Sequence, residues 1–274
     1  MRSASFDDDG GGPGGAFDGG APRLNLTRKL LWANGILFAA SFLLVRFVPS
    51  IGAPLWEWLR LDPDLWLSGI PAVWQLWTYG FLHDLGSPLH ILFNMLVLYF
   101  FGTMLEGLVG SRRFAWQYFA ALAVGAVVHL LFASFTTALP VVGASGAVLY
   151  TVIACAVLRP RAQVLFFFVP MPLKYMALIL VGLDIFAVLS AGDSRTASDV
   201  HLAGAALGFV AARQGWIYFD PGVWWSDRRA QRTQASAASD AEHLDQLLAR
   251  IQRDGIHTLS RRDKEFLSRM SKRG

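Results

Sequence analysis

The chain has 274 residues, 54% hydrophobic and 16% charged, with a net charge of +4 and a mean hydropathy of +0.41. Soluble domains carry about 25% charged residues, so this composition points to a membrane protein and away from a soluble enzyme or a nucleic-acid binder. The single cysteine, Cys155, excludes an internal disulfide framework and a cysteine-built zinc site.

The first 27 residues are rich in glycine and acid and lack the apolar stretch of a signal peptide, so 1–27 reads as a disordered tail. Crossing a bilayer takes about 20 largely apolar residues in a helix. Six runs meet or approach that length: 30–48, 89–109, 114–135, 143–158, 173–191 and 200–217. The fourth and sixth are short and contain glycine, which neighbouring helices can compensate by surrounding them. The expected fold is therefore an all-α polytopic bundle of six transmembrane helices over 28–218.

Basic residues set the orientation. Arg23, Arg28 and Lys29 precede the first run, Arg112 and Arg113 separate the second and third, and Arg159, Arg161 and Lys174 separate the fourth and fifth. Arg213 and further arginines follow the sixth, whereas the alternate loops hold only Arg60 and Arg195. The positive-inside rule then places both termini in the cytoplasm. Arg46, near the outer end of the first run, can snorkel to the interface. The first outer loop, 49–88, holds Trp56, Trp58, Trp66, Trp74 and Trp77, half of the chain's ten tryptophans, and is expected at headgroup level.

Beyond the bundle, 219–240 reads as a polar linker and 241–274 as a small cytoplasmic helical hairpin. Leu244, Leu247, Leu248 and Ile251 share one helical face, Gly255 suits a helix end, and Ser260 with Asp263 resembles a capping box. The apolar faces are narrow, so the hairpin is expected to need a partner surface or a second copy.

Runs two, four and six all descend from the outer side, and each carries polar residues near its start. His90 and Asn94 sit at i and i+4 in "PLHILFNML", Ser145 lies in "GASG", and His201 lies in "DVHLAGAALG". Four side chains about one turn deep can gather in one site. A serine hydroxyl becomes a nucleophile when a base takes its proton, and His201 is the candidate base. Attack on a carbonyl creates an oxyanion, for which His90, Asn94 and the Ser145 backbone N–H are candidate donors. Gly143 and Gly146 allow close approach to the serine, while Gly204 and Gly208, four apart, allow the sixth helix to pack tightly against the fourth.

Taken singly, these residues have ordinary readings. A lone membrane serine is usually a packing residue, although a histidine in lipid is costly enough to suggest a role. His129 and His83 are assigned structural or loop-orienting roles, and Glu106 and Asp184 structural ones. With no acid evident as a third member, catalysis would rest on Ser145 and His201 with the oxyanion donors. A metalloprotease motif needs H-E-x-x-H, and no His-Glu pair occurs; an aspartyl type needs two membrane aspartates, and Asp184 is the one within a run. Neither a cofactor nor a metal is expected.

The ordered motifs "HILFN", "GASG" around Ser145 and "HLAGAALG" around His201 resemble those of rhomboid intramembrane serine proteases across roughly 30–217. That resemblance implies a six-helix rhomboid-like bundle, a dyad of Ser145 and His201, and oxyanion support from His90 and Asn94. It implies cleavage of transmembrane-protein substrates in the lipid bilayer, without nucleic acid, in a bacterial inner membrane. The C-terminal pattern also resembles a cytoplasmic tail of some bacterial rhomboids. The alternative is a non-catalytic rhomboid-like protein that binds transmembrane clients, although such proteins characteristically lack the serine or the histidine. Two positions depart from the family pattern. Gln75 stands where members often carry arginine after tryptophan. Leu149 stands where many carry a tyrosine stacked beneath the histidine, and Tyr150 is one residue later, about 100° further around a helix.

Overall fold

The computed structural model describes residues 25–135, 139–166, 168–190 and 197–271, so the first 24 residues of the expected tail, and Arg195, lie outside it. The chain divides into two units, Met1–Ile217 and Tyr218–Gly274. Four helices of the first unit are long and apolar enough to cross a membrane: Leu26–Phe47, Pro88–Val109, Ser111–Ala133 and Leu173–Ser190.

Helix α1 (Leu26–Phe47) starts at Asn25, whose side chain accepts from the Arg28 N–H. The Glu106 carboxylate accepts from the Leu26 and Thr27 N–H groups and the Thr27 and Ser111 hydroxyls. A buried acid thus satisfies the donors that a helix N-terminus leaves open. Helices α2 (Pro49–Leu59), α3 (Pro63–Leu67) and α4 (Gln75–Thr78) build the first loop. Next come α5 (Pro88–Val97), a π-helical turn at Leu98–Gly102, and α6 (Thr103–Val109), which together form one apolar span. Gly110, at φ 86°, breaks that span before α7 (Ser111–Ala133).

The core helix is α8 (Ser145–Leu158), buried at eleven positions from Gly146 to Ala156. It starts two residues later than the apolar run, because Gly143 has φ 124° and cannot be helical. A short antiparallel hairpin, β1 (Gln163–Phe166) with β2 (Val169–Pro172), joins α8 to α9 (Leu173–Ser190) and was not apparent in the sequence. Helix α10 (Ser198–Arg213) ends before Gly215, at φ 76°, and Trp216–Tyr218 forms a separate turn, so the sixth run is not one helix to residue 217.

Helix α10 packs most extensively on α8, and glycines set the spacing. A Cβ on Gly204 would fall on the Gly146 carbonyl, one on Gly208 would fall 2.5 Å from the Tyr150 carbonyl oxygen, and one on Gly146 would meet Val200. Backbone touches backbone here, as small-residue stripes permit. His129 links α7 to α10. Its Nδ1 lies 2.6 Å from Asp199 Oδ2, and its Nε2 lies 3.0 Å from the Leu139 carbonyl.

The first loop is bonded to itself and to the bundle. Buried Gln75 accepts from the Asp62 N–H and the Trp66 indole and donates to the Trp58 carbonyl. Trp74 stacks on Trp58 with ring centroids 4.6 Å apart. Trp77 donates to the Phe119 carbonyl and Tyr79 to the Leu122 carbonyl, both on α7.

In the second unit, the stretch 219–240, expected to be a linker, is mostly helical. Helix α11 runs unbroken over Pro221–Asp254. Its polar half is rich in Ala, Arg and Gln, which favour helix, and no Gly or Pro interrupts it between Gly222 and Gly255. Gly255, at φ 84°, ends α11, and α12 (Arg261–Ser271) follows. Ser260 and Asp263 form the reciprocal capping box, which holds the Asp263 carboxyl below its ordinary value. His243 packs edge-on against Phe266 at 4.7 Å.

Candidate active site

The segment ahead of Ser145 is held in place before the helix starts. Val141 and Leu61 exchange two backbone hydrogen bonds, and the Gly143 N–H donates to the Tyr79 carbonyl at 2.9 Å. Loop 49–88 therefore fixes the entry of α8. Ser145 is the first helical residue, so its backbone N–H has no intrahelical acceptor.

Ser145 Oγ lies 2.6 Å from His201 Nε2. The serine is placed by α8 and the histidine by α10, whose backbones meet at Gly146, next to the serine, and Gly204, about one turn after the histidine. On the other side of the ring, His201 Nδ1 lies 2.8 Å from Asp184 Oδ1 of α9. With the hydrogen on Nδ1 donated to the carboxylate, Nε2 is left to accept from the serine hydroxyl.

His90 and Asn94 border the same space. A cavity of about 370 Å³ is lined by His90, Asn94, Ser145, Leu149, Asp184 and His201 among others. The backbone angle at Gly143 favours glycine, and a Cβ there would press on His90, 3.0 Å from its Nε2 and 3.6 Å from Ser145 Oγ. The Asp84 N–H is 3.5 Å from His90 Nδ1, an arrangement that leaves the hydrogen on Nε2, facing Gly143. The Asn94 amide donates one hydrogen to the His90 carbonyl at 2.9 Å, and a second hydrogen is left over. His83 stands behind His90, ring centroids 5.4 Å apart, and burial pushes its pKa down to about 4.

All four side chains singled out in the sequence thus border one cavity. Gly143 lies against His90 and Ser145, whereas Gly146, expected to open the approach to the serine, packs on Val200 and Gly204 in the α8–α10 contact that Gly208 extends. Sequence reasoning missed Asp184 as a neighbour of His201. The signal was present, since an acid in an apolar run is costly unless partnered, but depth was compared only among the runs that descend from the outer side. Tyr150 does not reach His201; its hydroxyl donates to Gln117 at 3.0 Å, and Gln117 donates on to the Ile217 carbonyl. Among the described residues, no group of three His, Cys, Asp or Glu side chains could hold a metal ion.

Comparison with known proteins agrees with the motif reading. RHOMBOID-like protein 12, mitochondrial, of Arabidopsis thaliana is 33% identical over 151 residues, which cover 49% of this chain and 44% of that protein. The chain thus spans less than half the length of this curated relative. The rhomboid domain family matches residues 71–218, more than half of the chain, from the tryptophan loop through α10. With that match over the segment that carries Ser145 and His201, the chain belongs to the rhomboid family.

Proposed function

We propose that this chain is an intramembrane serine endopeptidase that cleaves transmembrane segments of other membrane proteins. The observation that carries this reading is the 2.6 Å approach of Ser145 Oγ to His201 Nε2 at a cavity wall. A locally unwound substrate segment presents a peptide carbonyl to Ser145. As the Oγ–C bond forms, the hydroxyl proton passes to His201 Nε2, and the carbonyl oxygen becomes an oxyanion. His90 Nε2–H, the free Asn94 N–H and the Ser145 backbone N–H are positioned as its donors. The proton on Nε2 then goes to the leaving amine as the C–N bond breaks. Water, deprotonated in turn by His201, hydrolyses the acyl-enzyme.

The membrane arrangement belongs to the same proposal. Helices α8 and α10 are shorter than the four long spans, but α8 is enclosed by protein and needs no lipid-length apolar surface. Counting both gives six spans, with both termini on the cytoplasmic side of a bacterial inner membrane, as the distribution of Arg and Lys favours. The second unit, with His243 of α11 against Phe266 of α12, serves as a cytoplasmic hairpin for a partner or a second copy.

The test is cleavage of a reconstituted transmembrane substrate. Ser145→Ala and His201→Ala are expected to reduce turnover by about 10³-fold or more, with thermal unfolding in detergent unchanged. His90→Ala and Asn94→Ala are expected to cost roughly 10- to 10³-fold. Full activity in Ser145→Ala would overturn the reading. A folded wild type that neither cleaves nor reacts with a serine-directed fluorophosphonate would point instead to a client-binding protein.

A further inference from the structure

We propose that Asp184 is the positioning carboxylate of His201, completing a Ser145–His201–Asp184 relay; this rests on the protease reading above. Three observations carry it. Asp184 Oδ1 lies 2.8 Å from His201 Nδ1 while Ser145 Oγ lies 2.6 Å from Nε2, so acid, ring and hydroxyl form one continuous hydrogen-bonded line. The Asp184 side chain is only 16% exposed, in a helix otherwise apolar from Met176 to Leu189, where an ionisable group without a partner would be costly. And Leu149, one turn after Ser145, lines the same cavity and carries no polar group that could orient the imidazole.

A second histidine–aspartate pair in the molecule sharpens the assignment. His129 also faces a carboxylate through Nδ1, on Asp199, but its Nε2 faces the Leu139 carbonyl, which can only accept. That ring ties three segments together, and both of its nitrogens face oxygens of the fold and not a hydroxyl. His201 has a carboxylate on one nitrogen and a hydroxyl on the other, which fixes the hydrogen at Nδ1 and leaves the Nε2 lone pair for the serine proton. When that proton arrives, the ring becomes an imidazolium, and the Asp184 anion stabilises it without receiving a proton itself. The other titratable groups near the ring are His90, from α5, across the cavity, and Asp199, two residues earlier on α10, which is bonded to His129.

The test compares the wild type with Asp184→Asn and Asp184→Glu in proteoliposomes, reading kcat and KM for a transmembrane substrate across pH and the rate of fluorophosphonate labelling at Ser145. Asp184→Asn is expected to lower kcat and the labelling rate by about 10²- to 10⁴-fold with KM little changed. The pH profile of the residual rate should differ from that of the wild type, because the imidazolium has lost its counter-charge. Asp184→Glu should recover part of the rate. Asp184→Ser gives the same readout should the amide variant fail to fold. Unchanged kcat and pH profile in a folded neutral variant, or a loss confined to thermal stability, would overturn the role of Asp184 and leave the protease reading intact. A wild type that neither cleaves nor labels would overturn both.

Discussion

Ser145 and Asp184 approach His201 from helices that are held in opposite ways. Helix α8 is buried from Gly146 to Ala156 and is locked to α10 by backbone contact at Gly146, Gly204 and Gly208. Helix α9 buries only Leu173, Met176 and Ala177, all at its start, and exposes Leu183, Phe186 and Leu189 further along. The serine is therefore placed by main-chain packing over several turns, and the carboxylate by its hydrogen bond to His201 from the outer half of a loosely packed helix. Substitutions on the first side should act through the fold, and those on the second only at Asp184.

The largest effect is expected from attacking the tight side. Gly204→Val puts a branched side chain onto the Gly146 carbonyl, where neither backbone can yield without separating α8 from α10. A loss above the usual ~1–3 kcal/mol of overpacking is expected, with proteolysis reduced at least about 100-fold. Thermal unfolding in detergent checks it, and a wild-type melting temperature would break the comparison.

A pH scan offers a second, smaller test, on the buried loop behind His90. His83, buried behind His90, has its pKa pushed from 6.5 down to about 4, so it stays neutral in the folded protein where the unfolded chain would protonate it. The unfolded state then binds the extra proton below pH 6.5. Stability falls as the pH drops from there and stops falling below about 4. Between pH 7 and pH 5 the loss is about 2 kcal/mol. His83→Gln, which cannot titrate, should lose that much less over the same interval. Parallel curves for the two proteins would contradict the assignment.

The smallest effect is expected on α9. Phe186, 67% exposed on its outer half, should tolerate alanine within about 0.5 kcal/mol of stability and threefold in kcat, read by the same melting and cleavage assays. A large loss would mean that α9 is held more firmly than its burial indicates.

The same contrast explains what could be read from the sequence. Ser145, His201, His90 and Asn94 were legible because each sits near the start of a helix that descends from one side, where depth follows from position alone. Asp184 lies two-thirds of the way along a helix that rises toward that side, and its partner depends on how α9 rotates, which hydropathy does not encode. The four long apolar helices were legible to within a few residues. The start of α8 and the end of α10 are set near Gly143 and Gly215, whose backbone angles become evident only in three dimensions. Residues 219–240 read as a linker because they are polar, yet strong local helix preference with no breaker carries α11 through them. Gln75 was noted as a departure from the family pattern; its three hydrogen bonds to Asp62, Trp66 and Trp58 make it an internal brace of the loop.

The serine and the histidine that meet at 2.6 Å are 56 residues apart in the chain, and the contact that joins their helices runs through Gly204, downstream of both. On the proposed reading, a growing polypeptide carries its hydroxyl into the membrane well before its base, and the two cannot pair until α10 has inserted beside α8. A rhomboid of this design stays inert until α10 is in place and gains its reactive pair while α11 and α12 are still to follow.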